Sequence, residues 1–159
     1  MPRRNEHLVV VLVEQAPRGE FVIWPLHITI VPWFHCDDEK KLDELLASIA
    51  TNSEAFIVKV GEVEHFGNHG ELTVNLLENP ERMHKLHWEV FDALERNNFL
   101  IHQKTFLGEK YKPHITHQGK KHSLEGEELV VSSFTLVKQL RQKKTGAMIK
   151  QVVKTYSLR

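Results

Sequence analysis

The stretch Pro25-Leu26-His27-Ile28-Thr29-Ile30-Val31 alternates polar and apolar side chains, and its central tripeptide returns in Pro113-His114-Ile115-Thr116. Such alternation is typical of a β-strand, in which successive side chains point to opposite faces. Each histidine therefore shares a face with the threonine two residues later, and the isoleucine between them points to the other face. We expect two such strands, facing each other, to surround one anionic group with two imidazoles and two hydroxyls.

The composition is that of a soluble globular protein. The chain has 159 residues, of which 41% are hydrophobic and 26% charged, and this size fits one compact domain. Its 21 basic and 21 acidic residues balance, which argues against a nucleic-acid binder driven by overall charge. The single cysteine excludes an intramolecular disulfide, and the apolar run at 8–13 is too short for a signal peptide or a membrane span. These features predict a cytoplasmic protein without membrane contact.

Hydrophobic periodicity predicts a mixture of strands and helices. One helix is expected from an aspartate cap at residue 37 or 38 to about residue 50, and another from Asn79-Pro80 to about residue 96. Their order lacks the steady βαβ alternation of a parallel sheet, so we expect an α+β fold with mostly antiparallel sheets. The predicted strands are 8–13, 23–31, 56–60, 71–77, 111–117, 129–140 and 147–156.

Paired His-hydrophobic-Thr motifs, one in each half of a chain of this size, resemble the two-histidine (2H) phosphoesterase superfamily. The stretches 26–34 and 111–116 are similar to the two signatures of its 2′-5′ RNA ligase and cyclic phosphodiesterase branch. The resemblance implies a bilobal, pseudo-two-fold arrangement of antiparallel sheets with flanking helices, in which both motif strands line a central cleft. Because the resemblance spans nearly the whole chain, we expect residues 1–159 to form a single domain of two lobes that share this cleft.

The activity implied by this resemblance is the opening of 2′,3′-cyclic phosphates, on RNA ends or nucleotides, to 2′-phosphates, together with a 2′-5′ RNA ligase activity that joins a cyclic end to a 5′-hydroxyl. A neutral histidine takes a proton from water while a protonated one gives a proton to the leaving oxygen. The residues alone leave the two roles open, and the resemblance implies that His114 is the base and His27 the acid. Thr29 and Thr116 donate to the non-bridging phosphate oxygens. The scheme requires no metal and no cofactor, and no obligate protein partner is expected.

Further residues near the motifs are candidates for substrate binding. Several branches of the superfamily carry an arginine after the second motif, where this chain has Lys120 and Lys121, so we expect these lysines to hold phosphate. Aromatic side chains beside the motifs are expected to stack on a base. The predicted stacking residues are Tyr111, Trp33 and Phe34, with Trp24 and Phe66 also near the motifs.

Two other functions fit parts of the sequence. A non-catalytic module on the same fold would grip a nucleotide or RNA phosphate without turning it over. A metal-binding protein would use some of the 11 histidines, since His84 and His87 are spaced to share a helix face and His65 and His69 flank a predicted turn. Glu64, Glu71 or Glu89 would complete such a ligand set.

The predicted last hairpin is basic. A solvated surface is the ordinary explanation of such a charge run, and a basic ribbon that rims the cleft and guides RNA is the alternative. The residues concerned are Lys138, Arg141, Lys143 and Lys144.

Overall fold

The computed structural model describes residues 6–159, so the first five residues of the expected domain lie outside it. The strands are β1 (Glu6–Leu12), β2 (Glu20–Phe21), β3 (His27–His35), β4 (Phe56–Phe66), β5 (Leu72–Leu77), β6 (His114–Thr116), β7 (Glu128–Val131), β8 (Ser133–Arg141) and β9 (Met148–Ser157). The helices are α1 (Glu39–Thr51) and α2 (Glu81–Arg96), and a short 3₁₀ turn at Gly108–Lys110 precedes β6.

The strands form one open sheet in the order β2-β9-β8-β1-β3-β6-β5-β4-β7, and the paired strands are antiparallel. The predicted α+β class with mostly antiparallel pairing is therefore confirmed. The two motif strands, β3 and β6, are neighbours near the middle of this order. On one side of their seam lie β1, β8, β9 and β2, and on the other side lie β5, β4 and β7.

Several predicted strand boundaries are wrong: β3 begins at His27 and not at residue 23, β4 continues to Phe66, and β6 is limited to His114–Thr116. The stretch 129–140 is not one strand, because the chain leaves β4 after β7 and joins β1 and β9 as β8, with Ser132 at the switch. The strand expected to end before Pro32 continues through it to His35. The pairing of β1 with β3 is irregular between Val9 and His7, opposite this proline, so the missing N–H falls where the ladder is interrupted.

The helices cover the face of the sheet that carries the motif isoleucines. Ile28 and Ile115 are fully buried in a large apolar cluster that includes Leu42 and Leu46 of α1 and Leu86 of α2. Burial of this kind stabilises the fold by about 25 cal/mol per Å² of apolar surface removed from water. No helix among the described residues is both long and apolar enough to cross a membrane.

A second, smaller apolar cluster lies on the opposite face of the sheet. It joins Leu8 and Val10 of β1 to Val137 of β8 and to Phe21, which reaches it from β2. Trp24 and Trp33 pack against the same cluster. Because Val10 is paired with Thr29, this face is also the one that carries the motif histidines and threonines.

Candidate functional site

The register of the β3–β6 seam brings the two motifs together. Ile28 lies directly opposite Ile115. In an antiparallel pair this register sets His27 opposite Thr116 and Thr29 opposite His114. Directly opposed Cβ atoms are about 4.5–5.5 Å apart and diagonal ones about 7–8 Å. The four half-buried side chains therefore form a compact quadrilateral on one face, with the histidines on one diagonal and the threonines on the other.

Both imidazole rings are oriented by the chain just before them. Nδ1 of His27 lies 2.8 Å from the carbonyl oxygen of Pro25, and Nδ1 of His114 lies 2.8 Å from that of Lys112. Since a carbonyl oxygen only accepts, each Nδ1 carries the proton and donates it. In the neutral ring Nε2 is then unprotonated and can accept a proton, and in the charged ring the same atom can donate one.

The surroundings of both rings favour the neutral form. Burial lowers the pKa of His27, the hydrogen bond to Pro25 opposes this effect, and the charge of His114 lowers the pKa further. Burial also lowers the pKa of His114, against its hydrogen bond to Lys112, and the ammonium of Lys112 lowers it further. The coupling of the two rings restricts the doubly protonated state, so that one proton shared by the pair is the natural charged form.

An aromatic ring packs against each motif histidine. The ring centroid of Trp24 lies 4.4 Å from that of His27 at an interplanar angle of 34°, and Trp33 lies 6.5 Å beyond Trp24. The ring of Phe66 meets that of His114 edge to face at 4.8 Å. Each imidazole is thus held from the side by an apolar surface.

Two of the aromatic residues predicted to stack on a base do not reach the site, and those predictions are wrong. Phe34 is fully buried in the core beneath the helices, and Tyr111 is nearly so. The Tyr111 hydroxyl donates to the carbonyl oxygen of Thr29 at 2.7 Å. Tyr111 therefore supports the motif strand from behind, whereas the partly exposed Trp33 lies on the face of the site.

His87 completes the support behind the first motif. Its ring is stacked on that of Tyr111, with centroids 3.9 Å apart and planes 5° from parallel. Nδ1 donates to the carbonyl oxygen of Ile30 at 2.7 Å, and Nε2 accepts from the backbone N–H of Gly108 at 2.9 Å. Burial lowers the pKa of His87, in keeping with a neutral ring that donates once and accepts once. This pair of rings connects β3 with the chain that leads into β6.

These contacts remove His87 from the metal-ligand set considered above, because both of its ring nitrogens are engaged. The ring of His84 meets that of Tyr111 edge to face at 5.4 Å. Within residues 6–159, no group of three or more His, Cys, Asp or Glu side chains is placed to hold a metal ion.

Two of the lysines near the motifs, Lys121 and Lys112, occur in ion pairs. Lys121 Nζ lies 3.0 Å from a carboxylate oxygen of Glu14, and the same oxygen accepts from the backbone N–H of Leu26, beside His27. Lys120 is exposed on the same turn. Lys112 was missed by the sequence reasoning, and its Nζ lies 3.3 Å from Glu64 and 5.5 Å from the Phe66 ring centroid. Its position two residues before His114 was the available signal.

Comparison with known proteins supports this architecture. A sequence model described as the 2′-5′ RNA ligase superfamily matches residues 10–143. No curated protein sequence matches the chain significantly. Among solved structures, the apo form of Escherichia coli LigT aligns with a TM-score of 0.67 at 13% identity, covering 97% of each chain. LigT with 3′-AMP aligns at 0.66 and 14% identity, covering 97% of this chain and 98% of that one. TT0787 of Thermus thermophilus aligns at 0.66 and 18% identity with the same coverages. At these identities the likeness shows the fold.

Proposed function

The chain belongs to the 2′-5′ RNA ligase superfamily, and from that premise we propose that it is a metal-independent phosphodiesterase that opens 2′,3′-cyclic phosphates to 2′-phosphates. One observation carries the proposal. Two histidines on one face of the β3–β6 seam each hold Nδ1 against a backbone carbonyl, which leaves two Nε2 atoms for proton transfer. The proposed site residues are His27, Thr29, His114 and Thr116, within a domain whose two lobes are the halves of the sheet on either side of the seam.

In the proposed reaction, Nε2 of His114 accepts a proton from water as the water oxygen attacks phosphorus. The bond from phosphorus to the ribose 3′ oxygen breaks on the opposite side. Nε2 of protonated His27 gives its proton to that oxygen, which leaves as a hydroxyl. The products are a 2′-phosphate and a 3′-hydroxyl, and the two rings have exchanged their protonation states. A proton passing from His114 to His27 through solvent restores the starting form.

The local charges support this assignment of roles. Burial lowers the pKa of both rings, and the Lys112 ammonium lowers the pKa of His114 further, which favours the neutral ring that a base requires. The corresponding ring contact of His27 is the uncharged indole of Trp24. The anionic phosphate of a bound substrate would favour the charged form of His27 that an acid requires.

We assign Thr29 and Thr116 to the non-bridging phosphate oxygens. Each threonine is directly across the seam from one motif histidine and two residues along its strand from the other, so it neighbours both proton-transfer groups. Hydroxyl donors in such fixed positions stabilise the negative charge that grows on phosphorus-bound oxygens in the transition state. Of the two predicted lysines, Lys121 is the one with an observed contact near the site. Its ion pair with Glu14 holds it beside Leu26 and His27, where it adds positive potential.

The same groups would join a cyclic end to a 5′-hydroxyl if that hydroxyl took the place of the attacking water. In the opposite direction, cleavage of the resulting 2′-5′ linkage, His27 would accept the proton of the attacking 3′-hydroxyl, by microscopic reversibility. A nucleotide substrate is supported by the LigT structures, which were solved with 3′-AMP, with ATP and with NADP⁺. Those ligands belong to LigT, and for this chain they favour a nucleoside phosphate over other phosphodiesters.

The test is an assay of purified protein on 2′,3′-cyclic mononucleotides and on RNA with a 2′,3′-cyclic end, with product isomers resolved by chromatography. We expect a 2′-phosphate product in the presence of a strong chelator. The double variant His27→Ala/His114→Ala should lose this activity and keep its circular dichroism spectrum. If the wild-type protein binds these ligands and opens none of them, the non-catalytic binding module is the correct function.

A further inference from the structure

The last hairpin concentrates the positive charge of a chain that is neutral overall. Residues 129–159 contain no aspartate or glutamate, although the whole chain has 21 basic and 21 acidic residues. The excess of negative charge therefore lies in the remainder of the chain. The basic residues of this last segment are Lys138, Arg141, Lys143, Lys144, Lys150, Lys154 and Arg159.

Within the described part of the chain, five cations of the β8–β9 hairpin have no carboxylate partner, whereas Lys154 of β9 is paired with Asp43. Across the rest of the described chain, ion pairs of 4.0 Å or less are common, as in Lys59–Glu78 and Lys104–Glu95. Among residues 6–159 no such pair involves any of five hairpin cations, and residues 1–5 contain no acidic side chain. The hairpin itself carries no carboxylate, and the acidic residues paired with it in the sheet are Glu6, opposite Gln139, and Glu20, opposite Gln151. The five are Lys138, Arg141, Lys143, Lys144 and Lys150.

The register divides these cations between the two faces of the sheet. Val10, on the face of the site, is paired with Thr135, so Gln139 and Arg141 point to the same face as the motif histidines. Lys150 is paired with Gln139 and shares that face. Lys138 is paired with His7 and points to the other face. Lys143 and Lys144 lie in the exposed connection between the strands.

The surface between the site and these cations is aromatic. Trp24 contacts His27, Trp33 contacts Trp24, and Phe21 contacts Trp24 at 5.3 Å. Phe21 is in turn paired with Lys150, whose Nζ lies 3.3 Å from the carbonyl oxygen of Val22. Stacking surfaces followed by cations are the combination that binds single-stranded nucleic acid.

The separation of the two regions excludes a mononucleotide as the ligand of both. In β1, the partner of His27 is Leu12 and that of Lys138 is His7. The five residues between these positions span about 17 Å along β1. Across the sheet, β8 and β9 lie two and three strands from β3, at about 4.8 Å for each strand. A cyclic end held by the histidines reaches the hairpin only when further nucleotides are attached to it.

We propose that Arg141, Lys143, Lys144 and Lys150 bind the phosphate backbone of a single-stranded RNA whose cyclic end lies between His27 and His114. This proposal rests on the proposed function and names its substrate class as an RNA strand. The nucleotides upstream of the cyclic end cross Trp24 and Trp33, on which their bases stack, and the backbone then meets the unpaired cations. This set of four residues is called the basic hairpin below.

The experiment compares kcat/KM for a 2′,3′-cyclic mononucleotide with that for an RNA of about ten nucleotides that has the same cyclic end. Wild-type protein should prefer the RNA at low salt. The variant Arg141→Gln/Lys143→Gln/Lys144→Gln should lower kcat/KM for the RNA at least about tenfold and leave that for the mononucleotide unchanged. For this variant, the slope of log(kcat/KM) on the RNA against log salt concentration should be shallower by about 2. Each of the three lost phosphate contacts on a single strand contributes about 0.7 to that slope. Lys138→Gln is the matched control from the same hairpin and should behave as wild type.

Three outcomes would overturn the inference. The first is that the wild type has equal kcat/KM for the RNA and the mononucleotide. The second is that Lys138→Gln lowers kcat/KM for the RNA as much as the triple variant does. The third is that the triple variant loses activity on both substrates. Failure of the proposed function is distinguished by a wild type that turns over neither substrate. In that case, fluorescence anisotropy with a labelled RNA of the same length tests the basic hairpin independently, and binding that the triple variant retains would refute it.

Discussion

The two halves of the site share their local geometry and differ in what surrounds it. In each half a histidine donates Nδ1–H to the carbonyl two residues upstream, at 2.8 Å in both cases. Around His27 the ring neighbours are Trp24, in contact, and Trp33 beyond it, and the Lys121–Glu14 ion pair lies at the adjacent Leu26. Around His114 the neighbours are one aromatic ring and an ion pair, Phe66 with Lys112–Glu64. Equal positioning with unequal electrostatics is what a reaction needs when one ring must accept a proton and the other must give one.

The largest effect expected is from removal of either ring. His27→Ala and His114→Ala should each lower kcat for a cyclic nucleotide by about 10²–10⁴-fold, the usual contribution of general acid–base catalysis. A 4-nitrophenyl phosphodiester separates the roles, because its leaving group needs no proton. His27→Ala should regain most of its activity on this substrate and His114→Ala should not. The opposite pattern would reverse the assignment of acid and base.

The threonines should come next. Thr29→Val and Thr116→Val keep the shape and the strand preference of the side chain and remove its hydroxyl. Each should lower kcat by about 10–100-fold with a smaller change in KM, since the hydroxyl is expected to act most strongly on the transition state. Steady-state kinetics with a cyclic mononucleotide measures both constants. A change confined to KM would limit the hydroxyls to substrate binding.

The pH dependence tests the unequal electrostatics directly. Both histidine pKa values are lowered, and the active form needs one neutral and one protonated ring, so kcat/KM should follow a bell with its maximum below the ordinary histidine pKa of about 6.5. Lys112→Met removes a positive charge that disfavours protonated His114. The pKa of His114 should then rise, and the acidic limb of the profile should move to higher pH, with a several-fold loss of activity there.

Lys121→Met is the matched control for this shift, because Lys121 is likewise paired with a glutamate but lies at the His27 end. It should leave the acidic limb in place. An equal displacement of that limb by both variants would indicate a general effect of charge and would contradict the assignment of His114 as the base.

The smallest effect expected is from the support behind the first half. Tyr111→Phe removes the hydrogen bond to the Thr29 carbonyl and keeps the ring stacked on His87. It should lower the free energy of unfolding by about 1–3 kcal/mol, the cost of a buried unsatisfied acceptor. It should also lower kcat several-fold without changing KM. Chemical denaturation and kinetics at a temperature well below the transition measure the two effects separately, and a change in stability alone would make Tyr111 purely structural.

The sequence was sufficient for the motif strands and the α+β class. Alternation around each His-Ile-Thr defines which side chains share a face, and this depends only on the local backbone. The sequence was not sufficient to predict which side chains tertiary packing would bury. Phe34 and Tyr111 stand beside the motifs in sequence, yet Phe34 belongs to the helix-covered face and Tyr111 turns toward His87. The switch of the chain at Ser132 was hidden for a similar reason, because a continuous β-rich stretch does not reveal a change of partner strand.

The single residue pair that defines the seam has a consequence for how this chain tolerates change. Ile28 and Ile115 are opposite each other with both side chains in the core. Removal of one residue between Pro113 and Ile115, or addition of one, would exchange the faces of everything that follows in β6. An imidazole or a hydroxyl would then enter the apolar interior while isoleucine faced the phosphate. The number of residues in this short segment is therefore more constrained than their identity. A scan of single-residue deletions should show its largest loss of folded protein here.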